Sequence, residues 1–320
     1  MNRMYKFQNL KPIEGDASFR KFFRNKIKNK SSIVVFAKKE KFKNLIVYDA
    51  INKILNKNKI LAPNLYKENY KKGYIEIQDF GDNTIFKILL KKKNNKIRYF
   101  KKILKTLMQI QSIKNKGIKD FKKKKYIIPK YDKLILLKEA QLFCDWYTKK
   151  KLIKKNRDEF NKNFKRITKK LISNLQLKNN VFVHRDFHIS NLMLVNNRIG
   201  VIDSQDALIG NKAYDLASLI DDVRLKTPVT FKNKIYKYYI DRQHNLNKSK
   251  FKNDFDILSV MRNLKIIGIF TRLRIRDGKK GYSKLIPRAW ELIRIRINNQ
   301  IFSELKKLLN QNFKKELNAN

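Results

Sequence analysis

The chain has 320 residues, of which 77 are Lys or Arg and 27 are Asp or Glu, giving a formal net charge of +50. Hydrophobic residues make up 42%, with 21 Phe and 14 Tyr, which is too apolar for a disordered polyelectrolyte and enough for a sizeable core. The lone cysteine excludes an internal disulfide framework, and the sequence has neither a run of about 18 apolar residues nor an apolar N-terminal h-region, so the expectation is a cytoplasmic protein with no membrane insertion.

In chain order, residues 31–37, SSIVVFA, read as a buried strand. Across 44–60, Ile46, Val47, Ala50, Ile51, Ile54 and Leu55 recur at helical spacing. A turn at APNLY leads to a second strand around Tyr74, Ile75 and Ile77, which Gly81 ends. Helical periodicity fills about 84–115, 131–150 and 155–177. Two short apolar strands follow at about 192–195 and 199–202, and helices resume from about 212. Ile293, Ile297, Ile301 and Leu305, four apart, mark the last helix as amphipathic. This layout predicts an α+β chain with a small β-rich lobe over 1–82 and a larger, mainly helical lobe over 83–320.

Scarce acids gather in residues 181–207, VFVHRDFHISNLMLVNNRIGVIDSQDA, which hold three aspartates and two of the three histidines. Asp186 and Asn191 are five apart, and Asn191 and Asp203 twelve apart. Between the last two lies a predicted hairpin, two apolar runs joined by Asn196 and Asn197. A hairpin returns its ends to one place, so Asp203 is expected beside Asn191. Phosphoryl transfer asks for such a set: hard oxygens for Mg²⁺, and a separate carboxylate to take the proton of the acceptor hydroxyl. The protein-kinase catalytic loop orders the same groups in the same way. Asp186 is therefore the candidate base, and Asn191 and Asp203 the candidate metal ligands.

Six ordered stretches, GDASFRKFFR (15–24), IQDFGD (77–82), LFCDWY (142–147), VHRDFHISNLMLV (183–195), GVIDSQDALIGNKAYDLASLIDDVR (200–224) and GIFTRLRIRDGKKGY (268–282), resemble the aminoglycoside phosphotransferase/choline kinase-like family. Within it the chain most resembles bacterial cell-wall recycling kinases that phosphorylate the anomeric hydroxyl of N-acetylmuramate and N-acetylglucosamine. The resemblance implies a bilobal protein-kinase-like fold, ATP, Mg²⁺ and a small-molecule sugar acceptor. It implies nucleotide contacts from Ser18 and Phe19, from the backbone of Gln78, Asp79 and Phe80, and from a lysine for which Lys38 is the candidate. It places His184 and Asp215 as supports of the catalytic loop, and His188, Asp221, Asp222, Arg224 and Arg276 at the acceptor. Ser204 departs from the family pattern, which has Phe or Trp after the metal-binding aspartate.

Two alternatives remain open at this stage. One is a kinase of another small hydroxylated acceptor such as an aminoglycoside, choline or homoserine. The other is a catalytically silent, nucleic-acid-associated basic protein on a kinase-like scaffold. Against the second, the lysines are spread along the chain beside Asn and Ile, all with A/T-rich codons, so no specific nucleic-acid partner is expected.

Overall fold

The computed structural model describes residues 10–13, 20–28, 30–41, 43–91 and 96–318. By its contacts the chain divides into two compact units, Met1–Pro129 with Ile189–Ala207, and Lys130–His188 with Leu208–Asn320. This division differs from a single cut after Asp82, since 83–129 and 189–207 group with the first unit.

In the first unit, β1 (Leu10–Ile13), β2 (Lys21–Ile27), β3 (Lys30–Phe36), β4 (Leu65–Asn69) and β5 (Tyr74–Gln78) form an antiparallel sheet in the order β1-β2-β3-β5-β4. Its core cluster is Val35, Leu45, Tyr48, Ile75 and Ile77, the second and third of these from α1 (Lys43–Lys57). The helical spacing over 44–60 thus buries one face of α1 on the sheet. Beyond the sheet come α2 (Ile85–Lys91), α3 (Lys96–Gln111) and a small hairpin, β6 (Gly117–Lys119) with β7 (Lys125–Ile127). That hairpin was hidden in the sequence by the lysines at its turn, which are solvated as expected.

The second unit starts with α4 (Lys133–Leu142), a π-helical segment Phe143–Thr148, the single turn α5 (Lys149–Lys151), α6 (Lys154–Ser173) and β8 (Asn179–Val183). The chain then supplies β9 (Leu192–Val195) and β10 (Arg198–Val201) to the first unit. It returns as β11 (Leu208–Asn211), which pairs antiparallel with β8. Helices α7 (Ala213–Ile220), α8 (Val229–Ile240), α9 (Lys248–Ile275), α10 (Ile286–Arg296) and α11 (Ser303–Asn318) complete the unit. Phe143, Tyr147, Phe160, Phe164, Trp290 and Phe313 form a contiguous aromatic core. LFCDWY, one of the resembling stretches, is therefore mainly a packing motif.

One expected helix is two. The stripe of Ile293, Ile297, Ile301 and Leu305 crosses a break, because α10 ends at Arg296 and α11 begins at Ser303. Asn299 is extended, and its side chain accepts a hydrogen bond from the Ile301 N–H, starting a short turn instead. A four-residue spacing cannot reveal that change of axis.

Gly268 in α9 lies against the backbone of the α4–π junction. A Cβ there would sit 2.3 Å from the Leu142 carbonyl oxygen. Gly268→Ala is expected to destabilise the protein by about 1–3 kcal/mol or more through overpacking against backbone that cannot yield. A lowered midpoint in urea denaturation checks this.

Candidate active site

The second unit carries Asp186. β8 runs into His184, Arg185 and Asp186, and the loop is held from below by Asp215, in the first turn of α7. The fully buried Asp215 carboxylate accepts the His184 N–H (2.6 Å) and the Arg185 N–H (3.0 Å). Arg185 has φ +72°, a conformation that costs about 1–3 kcal/mol and persists only where surroundings enforce it. Its guanidinium pairs with Glu139 of α4 and lies over the Tyr131 ring, 5.3 Å from the centroid. Glu139 also pairs with Lys265 of α9 at 2.9 Å and accepts from the Tyr131 hydroxyl. Burial pushes the Glu139 carboxyl up, but Lys265 and Arg185 overcome this and hold it at about 2. The result is a rigid, charged scaffold behind a half-buried Asp186.

Asp215 thus holds the backbone of His184 and Arg185. His188 is buried, and its backbone N–H donates to the Asp186 carbonyl at 2.9 Å. Burial, then the nearby Arg224 and Arg262, keep its imidazole well below the usual pKa, so it is neutral. Asp222 is buried and accepts from the Arg224 N–H (3.0 Å). Asp221 faces inward: Lys232, Ser259 and Arg296 all donate to its fully buried carboxylate. Its oxygens are spent on holding α8, α9 and α10 together. Arg276 is exposed past the end of α9 and forks onto its neighbour Asp277 at 2.7 and 2.9 Å.

The first unit carries Asn191 and Asp203. The hairpin between them forms as read, with Val195 opposite Arg198 and Asn196 and Asn197 both at positive φ. Its ends close through the Ile202 N–H, which donates to the Asn191 carbonyl at 3.1 Å. The hairpin is tied into its unit by the Val201 N–H to the Leu61 carbonyl (2.8 Å) and the Leu194 N–H to the Asn83 carbonyl (2.9 Å). Asp203 takes a left-handed conformation at φ +61°. The next residue, Ser204, is fully buried and donates to Asn52 of α1 at 2.6 Å. A hydrogen bond replaces the aromatic packing that the family pattern has there.

Asp203 is 35% exposed and already faces one cation, Arg20, at 2.7 Å. The Arg20 guanidinium is buried over Phe22 and Tyr48, 5.6 and 5.8 Å from their centroids. Burial and the Asp203 charge raise the Tyr48 hydroxyl to about 12, so Tyr48 stays neutral. Asn191 and Asp203 stand at the two closed ends of the hairpin, and a carboxylate and an amide oxygen are hard donors of the kind Mg²⁺ takes, one or two from protein, with water and phosphate completing its shell.

Among the expected nucleotide contacts, Ser18 and Phe19 lie outside the described residues. Lys38 is exposed beyond the end of β3. Gln78 exchanges hydrogen bonds with Asn64: its N–H donates to the carbonyl (2.8 Å) and its side-chain oxygen accepts from the amide (3.1 Å). Asp79 pairs with Arg24 (2.7 Å) and accepts the Gly81 N–H (2.8 Å). Phe80 packs on Gly200, where a Cβ would come within 2.9 Å of the ring. The sequence reading missed Glu139 and Arg262. Each interrupts an apolar helical run, LILLKEAQL and SVMRNLKII, and that interruption was the available signal.

A family model described as "Phosphotransferase enzyme family" matches residues 9–245. The chain belongs to this family. Among curated proteins it is similar to the N-acetylmuramate/N-acetylglucosamine kinase of Neisseria meningitidis serogroup B, at 28% identity over 87% of this chain and 83% of the relative. It is similar to the protein of the same name from Pseudomonas aeruginosa at 30% identity, over 88% and 82%. Among solved structures, an ADP-bound aminoglycoside phosphotransferase matches with TM-score 0.59 and 17% identity over 94% of this chain and 96% of that one. A choline/ethanolamine kinase family protein from Mesorhizobium loti matches with TM-score 0.61 and 11% identity over 94% and 92%. The fold of this phosphotransferase is protein-kinase-like.

Two buried groups of the phosphotransferase make opposed contributions to its pH stability. Burial and the neighbouring Asp186 raise Asp215 to about 7, against the pull of its two N–H bonds. A raised folded pKa gives stability that is present below about pH 4 and lost as pH rises through about 7. The depressed His188 does the reverse, losing stability as pH falls below its unfolded value of about 6.5. In thermal melts, the stability of Asp215→Asn relative to the parent should therefore grow from pH 5 to 8. That of His188→Gln should grow as pH falls from 7 to 5.

Proposed function

We propose that this phosphotransferase is an ATP- and Mg²⁺-dependent kinase that phosphorylates the anomeric hydroxyl of N-acetylmuramate and N-acetylglucosamine. The observation that carries the reading is the presentation of Asp186: a half-buried carboxylate on a loop pinned by Asp215 and Glu139, in a chain whose curated relatives bear that activity in their names.

In this reading Asp186 orients the acceptor hydroxyl and takes its proton. An anomeric hydroxyl is more acidic than the other ring hydroxyls, so less basicity is asked of the carboxylate. Asn191 and Asp203 hold Mg²⁺, which supplies charge neutralisation on the nucleotide phosphates. Gln78, Asp79 and Phe80 border adenine through their backbone. For the phosphate-binding cation, Arg20 is favoured over Lys38, because it is buried and already held on Asp203 while Lys38 is exposed. His188, Asp222 and Arg224 face the acceptor, and Asp221, tied to Lys232, Ser259 and Arg296, holds the helices behind them. Arg276 would take part only if its pairing with Asp277 opens. An ATP-consuming step on a released cell-wall sugar belongs in the cytoplasm, in peptidoglycan recycling.

Phosphorus NMR of products from a panel of acceptors with ATP tests the reading. An acid-labile sugar 1-phosphate is expected. An acid-stable 6-phosphate, or turnover of choline or homoserine in place of both sugars, would overturn the sugar assignment. Asp186→Asn should keep nucleotide affinity and lose about 10²–10⁴-fold in kcat. In calorimetric titrations with a non-hydrolysable ATP analogue, Asp203→Ala should lose more Mg²⁺-dependent affinity than Asn191→Ala, because a carboxylate brings charge and an amide only a dipole.

A further inference from the structure

Arg24 of β2 gathers two of the chain's 27 acids onto one guanidinium. Its Nε and Nη2 donate to the two oxygens of Asp79, at 2.7 and 3.2 Å. Its Nη1 donates to both oxygens of Asp82, at 2.9 and 3.0 Å. Asp79 also accepts the Ser31 hydroxyl of β3 at 2.5 Å and the Gly81 N–H at 2.8 Å. Gly81 takes φ +78°, so the chain turns sharply between the two acids. The same segment is tied on its other side to the hairpin that ends at Asn191 and Asp203. The Leu194 N–H donates to the Asn83 carbonyl, Thr84 bridges Met193, and the Phe80 ring lies against Gly200. All of these residues belong to the first unit. Residues 79–84 are therefore a strap between sheet and hairpin, and Arg24 with Ser31 fastens it to the sheet.

Stability is a weak reason for this arrangement. Replacing a buried ion pair by apolar side chains is often neutral or stabilising. The Asp79 side chain is 6% exposed and that of Asp82 is 70% exposed. One prong is therefore costly to bury, and the other gains little from pairing. What the clamp supplies is geometry. A guanidinium is a planar fork that holds two carboxylates in fixed directions, which an ammonium does not. Lysine abounds in this chain, yet the cation here is an arginine.

We propose that Arg24 is a positioning residue for the nucleotide base: through Asp79 and Asp82 it fixes the backbone of 78–80 and so sets preference for adenine over guanine. This rests on the reading above that the backbone of Gln78, Asp79 and Phe80 meets adenine. The two bases present opposite edges. Adenine donates from its 6-amino group and accepts at N1, whereas guanine accepts at O6 and donates from N1. A backbone whose carbonyl and N–H are held in place satisfies one pattern and leaves the other unpaired. A loosened backbone can turn a peptide and serve either.

Calorimetric titrations with ADP and GDP in the presence of Mg²⁺ test this in the parent, Arg24→Gln, Arg24→Lys and Asp79→Asn. The parent should bind ADP about tenfold or more tightly than GDP. In Arg24→Gln and Asp79→Asn that ratio should fall roughly tenfold, toward unity. Arg24→Lys, which keeps the charge and loses the fork, should fall between. A clamp that served stability alone would lower the urea midpoint and leave the ratio unmoved, because both nucleotides are measured on the same folded protein. Should Arg24→Gln fail to fold, Arg24→Lys and Asp79→Asn carry the same comparison. If the parent prefers ADP and every folded variant keeps that preference, the positioning role is wrong while the adenine reading stands. If the parent binds neither nucleotide, or both alike, the adenine reading itself fails and this inference with it.

Discussion

The second unit depends on one buried carboxylate. Asp215 accepts two consecutive backbone N–H groups, those of His184 and Arg185, and in doing so fixes the direction in which the chain leaves β8. Burying an ionisable carboxyl is costly unless its oxygens are bonded, and here they are. The left-handed backbone of Arg185 follows, held by the ion pair with Glu139. Asp186 is then presented from a loop that has little freedom left. The neighbouring helices contribute in turn: α4 brings Glu139, α7 brings Asp215, and α9 brings Lys265 and Arg262. Much of the unit can be read as the framework that keeps these four side chains in place.

The first unit solves the same problem by other means. Asp203 also sits at positive φ, directly after β10, and is held by its neighbours in sequence and by α1. Ser204 reaches Asn52, Tyr48 lies beneath, and Arg20 caps the carboxylate. The departure from the family pattern at Ser204 is therefore compensated locally. The serine hydroxyl supplies through one hydrogen bond the anchoring that an aromatic ring supplies through area.

The charge of the chain separates into two populations. Lysines of the 121–126 run are exposed at a hairpin turn, where Lys122 lies over the Tyr70 ring at 3.3 Å from its centroid and none is paired with a carboxylate in the way the buried cations are. Arg20, Arg185, Lys232, Lys265 and Arg296 are largely buried, and each has a named carboxylate. The electrostatics that matter to the site come from a few placed cations, not from the +50.

The sequence by itself determined what local periodicity and spacing encode. The hairpin at 192–201 was legible because two apolar runs joined by Asn196 and Asn197 admit few other structures, and its closure puts Asn191 beside Asp203 whatever else the chain does. The α1 stripe and the strands of the first sheet were legible for the same reason. Tertiary structure alone decided which charges are spent. Asp221 and Asp222 are adjacent and alike in sequence, yet Asp221 is consumed by Lys232, Ser259 and Arg296, the last 75 residues away. Arg262 lies within α9 and Arg276 just past its end, but the second is exposed on Asp277 and the first is buried. The fourfold stripe at 293–305 spans two helices, because a cap at Asn299 redirects the axis without disturbing the period. A side chain's partner is fixed by packing across distant elements, and no local pattern records it.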